Sequence, residues 1–149
     1  MEIFMRGIEL VFPQHCNVKL DQLLLNIPLL GHKFVIDDGI VYQKNSKIIL
    51  QQVVDFSYIQ RISKNDIFIL SLVLQSYPRD AQVVNIDVYK DFKESRCDLL
   101  LLICDGSYVE IYCKDKSWLV QCIENAEMLG ATEISIKTDI SDQRTGMYV

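Results

Sequence analysis

The chain has 149 residues, of which half are hydrophobic, and its 15 basic and 20 acidic side chains give a formal net charge of −5. This length suits a single domain, residues 1–149, and leaves no room for two sizeable cores. The negative charge and the scattered basic residues exclude nucleic acid as an expected partner, because phosphates would be repelled.

Localisation and redox state follow from what the sequence lacks. The longest uncharged stretch near its middle, Ile67–Pro78, is far shorter than the roughly 18 apolar residues of a membrane span. Residues 1–6 lack a basic region followed by a long apolar block, so we expect no signal peptide and a cytoplasmic location. The five cysteines are an odd number without Cys-x-x-Cys spacing, which favours reduced thiols over disulfides or a metal site. Cys16 is the cysteine least expected to be buried in a core, because the other four lie inside apolar runs.

The first third of the chain predicts a strand, a helix and a hairpin. The strand covers Ile3–Phe12 and ends at Pro13, and Asn17 is an expected N-cap for a helix to about Ile27. The hairpin joins Lys33–Ile36 to Ile40–Gln43 through an Asp-Asp-Gly turn. Strict alternation in the first strand places one set of residues on a common face: Phe4, Arg6, Ile8, Leu10 and Phe12.

The middle of the chain is less regular. Lys47–Val54 fits a short strand as well as the start of a helix, and Asp55 is an expected N-cap for a helix ending near Ser63. Ile67–Tyr77 is rich in branched residues and predicts a long, buried strand. Asp87 is the expected N-cap of a short helix through Glu94.

The segment Cys97–Lys114 gives the strongest hairpin signal. With a two-residue Asp105-Gly106 turn, Leu102 faces Val109 and Leu100 faces Ile111. That register places Leu100, Leu102, Cys104, Val109, Ile111 and Cys113 on one apolar face. Leu99, Leu101 and Ile103 then share the opposite face with Tyr108, Glu110, Tyr112 and Lys114, and a longer turn would change this pairing.

The last part of the chain predicts a helix, a strand and a tail. Asp115 caps a helix that runs to Leu129 and stops at Gly130, and Thr132–Thr138 is a strand with Ile134 and Ile136 directed inward. Residues 139–149 form a polar C-terminal tail. Hairpins dominate and glycine-rich β-α-β turns are absent. The fold class is therefore α+β, with an antiparallel or mixed β-sheet and helices packed on one face.

Candidate functional residues come from a half-polar sheet face, because the usual catalytic signatures are missing. No phosphate-binding glycine loop, Gly-x-Ser-x-Gly or His-Glu-x-x-His motif is present, and His15 and His32 belong to no recognisable constellation. No catalytic residue, metal site or cofactor is therefore predicted. The face expected to bind a partner or ligand includes Glu9, Ser71, Gln75, Tyr108, Glu110, Tyr112, Ser135 and Lys137. Asp105 at the turn is the remaining hairpin candidate, and Arg144 is expected to fold back and pair a carboxylate.

Three segments of the chain resemble a small bacterial family of uncharacterised proteins of about this length. They are Cys97-Asp98-Leu99 with Asp105–Asp115, the opening Arg6-Gly7-Ile8-Glu9 with Pro13, and the ending Thr138-Asp139 with Asp142 and Arg144-Thr145. The resemblance covers nearly the whole chain, although His15-Cys16 departs from it. It implies a bacterial, cytoplasmic, single-domain protein and transfers no catalytic residue.

Two hypotheses follow. In the first, the protein is a non-enzymatic interaction module that binds a protein partner or a second copy of itself. An immunity-type protein that masks a basic toxin is one version, because negative charge speeds the encounter. In the second, the protein is a small enzyme or ligand-binding domain with a site around Asp105, Tyr108, Glu110 and Tyr112.

Overall fold

The computed structural model describes residues 4–14 and 17–149 and contains eight strands and four helices in that part of the chain. His15 and Cys16 lie outside the described residues. The elements in chain order are β1 (Met5–Val11), α1 (Leu20–Leu23), β2 (His32–Gln43), β3 (Ser46–Ile48), β4 (Val53–Asp55), α2 (Phe56–Lys64), β5 (Ile67–Pro78), α3 (Tyr89–Glu94), β6 (Leu99–Cys104), β7 (Tyr108–Cys113), α4 (Lys116–Met128) and β8 (Glu133–Thr138).

All eight strands belong to one sheet with the order β3-β2-β5-β6-β7-β1-β8, and β4 pairs with the opposite end of β2 from β3. Every pairing among these strands is antiparallel. The predicted α+β class and the antiparallel sheet are therefore confirmed. Within the described ranges, no helix combines the length and apolar character that a membrane crossing requires.

Both faces of the sheet are covered. Leu99, Leu101 and Ile103 of β6 belong to the larger core cluster, and Leu100 and Leu102 belong to a second cluster on the opposite face. Helices α1, α2 and α4 contribute side chains to the larger cluster, whereas α3 contributes Phe92 and Tyr89 to the smaller one. The helices therefore do not all pack on one face as expected.

The predicted hairpin within residues 33–43 is wrong. β2 is one strand, and its partner β5 spans the whole length of it from Pro78 opposite His32 to Ile67 opposite Gln43. The Asp-Asp-Gly segment forms an irregularity in this pairing, where Asp38 has a φ of 47°. β5 pairs with β2 on both sides of this segment, and this tertiary pairing overrides the local turn signal. The ambiguous Lys47–Val54 segment ends β3 and begins β4.

The hairpin between β6 and β7 has a three-residue turn, Asp105 to Ser107, and its register differs by one residue from the two-residue prediction. Ile103 faces Val109, Leu101 faces Ile111 and Leu100 faces Tyr112. Asp105 and Gly106 both have positive φ, 52° and 75°, and the Gly106 N–H donates to Leu70 O. This shift changes which leucines share a face with Glu110 and Tyr112. They are Leu100 and Leu102, and not Leu99 and Leu101 as expected.

Two of the four predicted helix caps are confirmed. The carboxylate of Asp55 accepts the N–H of Tyr58, and that of Asp115 accepts the N–H of Ser117. The predicted helix from Asn17 to about Ile27 is wrong in extent, because α1 covers only Leu20–Leu23 and its N-cap residue is Lys19. Helix α3 begins after Val88 rather than Asp87, and its Asp91 carboxylate accepts the N–H groups of both.

Candidate functional site

The C-terminal tail lies against the second face of the sheet and is held there by a cluster of charged side chains. We call this set the tail cluster: Arg6 of β1, Glu110 and Tyr112 of β7, Lys137 of β8, and Asp139, Asp142 and Arg144 of the tail. It contains three cations and three carboxylates, so its formal charges balance.

Arg144 makes the most extensive contacts in the tail cluster. Its Nε and Nη2 atoms donate to the two carboxylate oxygens of Glu110 at 2.8 and 2.7 Å. Its Nη1 donates to the carbonyl oxygens of Gly146 and Tyr148 at 3.0 and 2.8 Å. One guanidinium thus joins a sheet carboxylate to the end of the chain, with the paired geometry typical of strong Arg–carboxylate contacts.

Lys137 and Tyr112 extend the network to Asp142. Lys137 Nζ lies 2.7 Å from Glu110 Oε2 and 3.2 Å from Asp142 Oδ1. The Tyr112 hydroxyl donates to Asp142 Oδ2 at 3.1 Å. The Asp142 side chain has no solvent exposure, and those of Lys137 and Glu110 are only 11% and 15% exposed. These partners are needed because an unpaired buried charge is strongly destabilising.

Burial and pairing change the proton affinities in this cluster in opposite directions. Burial by itself would raise the pKa of Glu110, but hydrogen bonds from Arg144 and Lys137 outweigh it and lower that pKa. Burial raises the pKa of the Tyr112 phenol, and the nearby carboxylates of Glu110 and Asp142 raise it further. Glu110 is therefore held ionised and Tyr112 neutral, so neither is poised to exchange a proton near neutral pH.

A register shift in β1 brings Arg6 to this face. The shift lies between Met5 and Gly7 in the pairing with β8. Met5 packs against the larger core cluster, whereas the Arg6 guanidinium lies 4.0 Å from the centre of the Tyr89 ring and bonds Asp139 at 2.7 Å. The predicted face of β1 that grouped Arg6 with Ile8 and Leu10 is therefore wrong at Arg6.

An open cavity of about 620 Å³ lies beside the tail cluster, between the sheet and the tail. Glu9, Ser135, Arg144 and Tyr148 are among its lining residues. Glu9 stands directly opposite Glu110 on the neighbouring strand, and it makes no ion pair within the described residues. Lys137 and Arg144 already neutralise Glu110, and the charges of the tail cluster balance. Glu9 therefore adds one negative charge to this cavity, which favours a cation.

The family of the chain follows from a match that covers these same elements. A model of the family described as "Protein of unknown function (DUF2691)" matches residues 5–148. The chain belongs to the DUF2691 family. A relative from Bacillus subtilis (strain 168), described as "Uncharacterized protein YncE", is 33% identical over 90 residues. That alignment covers 60% of this chain and 59% of the relative's own length, which is less than two thirds.

No solved structure matches the chain. The expected resemblance to a family without assigned activity, with a bacterial member, is thus confirmed. Membership in the DUF2691 family supplies no catalytic or binding residue.

The structure of this DUF2691 chain brings together three of the five residues predicted for the site. Glu110, Tyr112 and Arg144 meet in the tail cluster, while Asp105 and Tyr108 lie at the hairpin tip beside a separate open cavity. Neither tip residue forms a hydrogen bond or ion pair with Arg144. The role of all five in binding stays a prediction.

Sequence reasoning missed the contributions of Arg6 and Asp142. Asp142 was noted in the family resemblance and in the polar tail but not as a site residue, and the register shift that turns Arg6 leaves no signal in the alternation of β1. Lys137 was correctly grouped with Glu110 on one face. Ile134 and Ile136 were both expected to point inward, and Ile134 does pack against the larger core cluster. Ile136 is instead 55% exposed, because β8 lies at the edge of the sheet.

The thiols in the described part of the chain are free and mostly buried. Burial raises the pKa of Cys97 and of Cys122 to about 12, and it raises that of Cys113 well above its ordinary value. Thiols with such high pKa values are poor nucleophiles at neutral pH. Among the described residues, no group of three or more His, Cys, Asp or Glu side chains is placed to hold a metal ion.

Proposed function

We propose that this protein is a non-enzymatic interaction module that binds a basic protein partner by adding a strand of that partner to β8. The observation that carries the proposal is the position of β8, which has β1 as its neighbour on one side and no strand on the other within the described residues. A sheet edge of this kind offers unpaired backbone groups to an extended segment of another chain.

The register identifies the backbone groups that such a segment would use. The N–H of Phe12 donates to Ser107, so even-numbered residues of β1 bond β7 and odd-numbered residues bond β8. Ser135 therefore bonds β1, whereas the N–H and C=O groups of Ile134 and Ile136 point outward. The tail limits this free edge at its end, because Ser141 accepts the N–H of Thr138.

Side chains along β8 add apolar contact area to the free backbone groups. Ile136 is 55% exposed and the nearby Ile140 is 70% exposed. In strand addition the backbone hydrogen bonds provide affinity, and pockets for alternate side chains provide specificity. The cavity beside Glu9 supplies such a pocket on the other face of the same strand.

Charge favours a basic partner. The chain carries a net charge of −5, and Glu9 supplies a carboxylate in that cavity that has no ion-pair partner in the part of the chain that the structure describes. A lysine or arginine of an added strand would pair with Glu9. An immunity-type role against a basic toxin fits this chemistry, since opposite charges accelerate association. Buried free thiols suit a reducing compartment, so we place this role in the cytoplasm.

The alternative of an enzyme or ligand site on the Cys97–Lys114 hairpin has less support. Glu110 and Tyr112 already bond other side chains of the protein. Near neutral pH Glu110 stays ionised and Tyr112 stays neutral, because the pKa of Glu110 is lowered and that of Tyr112 is raised. Asp105 and Tyr108 sit at an open tip without a second catalytic group. We therefore favour the interaction module.

The test is affinity capture from a lysate of the native host at about 0.05 and about 0.5 M salt, which shortens the Debye length severalfold. Mass spectrometry then identifies what is retained. We expect a stoichiometric basic protein that leaves at high salt. Ile136→Pro removes one outward donor and Glu9→Gln removes the unpaired charge, so each should reduce its retention.

Glu124→Gln provides the matched control, because it removes the same charge from an exposed position on α4, on the other face of the sheet. It should capture the partner as well as the unaltered chain does. Circular dichroism must first show that each variant is folded. Retention that is equal in all four proteins would contradict binding at β8, and an acidic or salt-insensitive partner would contradict the charge argument.

A further inference from the structure

The opposite end of the sheet carries a basic groove that the proposed interaction does not use. We call the groove of about 650 Å³ lined by His32, Lys33, Arg61 and Arg79 the basic groove. It lies beside β2 and β4, whereas the free edge discussed above belongs to β8 at the far side of the sheet order.

Tertiary structure gathers these basic residues from three distant parts of the sequence. His32 faces Pro78 in the pairing of β2 with β5, so Arg79 follows at the same end of the sheet. Lys33 faces Asp55 in the pairing of β2 with β4, and α2 begins at the next residue and carries Arg61. Along the sequence these side chains are scattered, and no basic cluster marks them.

Three of the four basic side chains in the basic groove have no ion-pair partner within the described residues, whereas His32 Nε2 lies 2.8 Å from Asp98 Oδ2. Lys33, Arg61 and Arg79 form no ion pair within 4.0 Å there, in contrast to the three cations of the tail cluster. Asp55 is the acid that lines the groove, and its carboxylate accepts the N–H of Tyr58 as the cap of α2. Three uncompensated cations around one groove in a chain of net charge −5 favour an anion.

Apolar and aromatic groups accompany these cations. Leu30 is 86% exposed and Val53 is 56% exposed, and both line the groove. The Arg61 guanidinium lies over the Tyr58 ring at 5.6 Å from its centre, which holds the cation against an apolar wall. An anion with an organic group would therefore find a surface for each of its two parts.

We infer that the basic groove binds a small organic phosphate. A phosphate monoester carries a charge of about −1.5 to −2 near neutral pH, which two arginines and a lysine can neutralise. Guanidinium groups match the geometry of phosphate oxygens with paired N–H donors. The organic part packs against Leu30 and Val53. The overall negative charge disfavours a long polyanion such as nucleic acid, so the ligand is a small molecule.

The test uses phenyl phosphate as the probe of the full chain, with two control compounds. Inorganic phosphate lacks the organic group, and phenol lacks the phosphate. Binding is followed by two-dimensional NMR of the backbone amides at low ionic strength. We expect phenyl phosphate to bind about tenfold more tightly than either control compound. The amides that shift should include those of Gly31, Lys33, Phe56 and Arg79.

Arg61→Gln and Arg79→Gln should each weaken phenyl phosphate binding by about tenfold, because each removes a charged hydrogen-bond donor. Lys47→Gln is the matched control: it removes one positive charge from exposed β3, and it should leave the affinity unchanged. All three positions are exposed, so the variants should fold. Shifts scattered over the surface, equal binding of inorganic phosphate, or equal weakening by Lys47→Gln would overturn the inference. Failure here would leave binding at β8 untouched, since the two sites share no residue.

Discussion

Replacing Arg144 with methionine tests whether the tail cluster holds the C-terminus on the sheet. The change keeps an unbranched apolar side chain and removes two charged bonds to Glu110 and two bonds to the carbonyls of Gly146 and Tyr148. Breaking a fully buried ion pair by removing one partner costs about 3–5 kcal/mol. Here the Arg144 and Glu110 side chains are 21% and 15% exposed, and Lys137 still contacts Glu110. We therefore expect a lower loss of about 2 kcal/mol in the free energy of unfolding.

Urea denaturation measures this loss, and for a slope of about 2 kcal/mol per molar it moves the midpoint by about 1 M. A double-mutant cycle with Glu110→Gln should give a coupling energy of about 1–2 kcal/mol. Arg96→Met is the control, because the Arg96 side chain is 62% exposed and its Nη1 lies 3.9 Å from Asp80 Oδ1. We expect a change within about 0.5 kcal/mol.

The tail could also detach locally while the rest of the chain remains folded. Amide hydrogen exchange of residues 139–149 detects this, and the exchange should be faster in Arg144→Met than in the unaltered chain. Unchanged stability together with unchanged exchange of these residues would refute the view that Arg144 anchors the tail.

Three further predictions follow from single positions. Because the pKa of Glu110 is lowered, its ionisation stabilises the folded chain above the ordinary pKa of 4.5, and this stabilisation is lost as the pH falls below that value. A plot of urea midpoint against pH should therefore be flatter for Glu110→Gln than for the unaltered chain. Parallel curves would contradict this. Gly7→Ala should lower the free energy of unfolding by about 3 kcal/mol or more, because its Cβ would overlap the carbonyl oxygen of Ile111. In Gly31→Ala the new Cβ meets no atom, so only the positive φ is unfavourable and the loss should be about 1 kcal/mol. Similar thermal shifts for both variants would contradict the packing argument. Asp115→Ala removes the cap of α4 and should cost about 1 kcal/mol, and a loss near zero in chemical denaturation would show that the cap is dispensable.

The long strand β5 and the helices α2 and α4 could be predicted because their signals are local. Asp55 and Asp115 satisfy free N–H groups at helix starts, and Gly130 takes a positive φ of 88° at a helix end. These interactions involve residues within a few positions of each other, so the sequence window contains both partners.

The errors fall where a distant partner decides the local structure. The Asp-Asp-Gly segment in β2 is a good turn signal, but β5 pairs on both sides of it and keeps the strand continuous. The turn after β6 has one residue more than predicted. Because a one-residue change of register changes which residues share a face, Leu100 and Leu102 lie on the same face as Tyr112 and Glu110.

The acidic charge, the α+β class, the free thiols of the described residues and the shared face of Glu110, Tyr112 and Lys137 could all be predicted from the sequence. Composition, caps and period-two alternation are properties of neighbouring residues. The bidentate contact of Arg144 with Glu110 across 34 positions could not be predicted in this way. Nor could the groove that Lys33, Arg61 and Arg79 line together. Those arrangements depend on strand order and on which face each distant segment reaches, and neither is encoded in any short stretch of the chain.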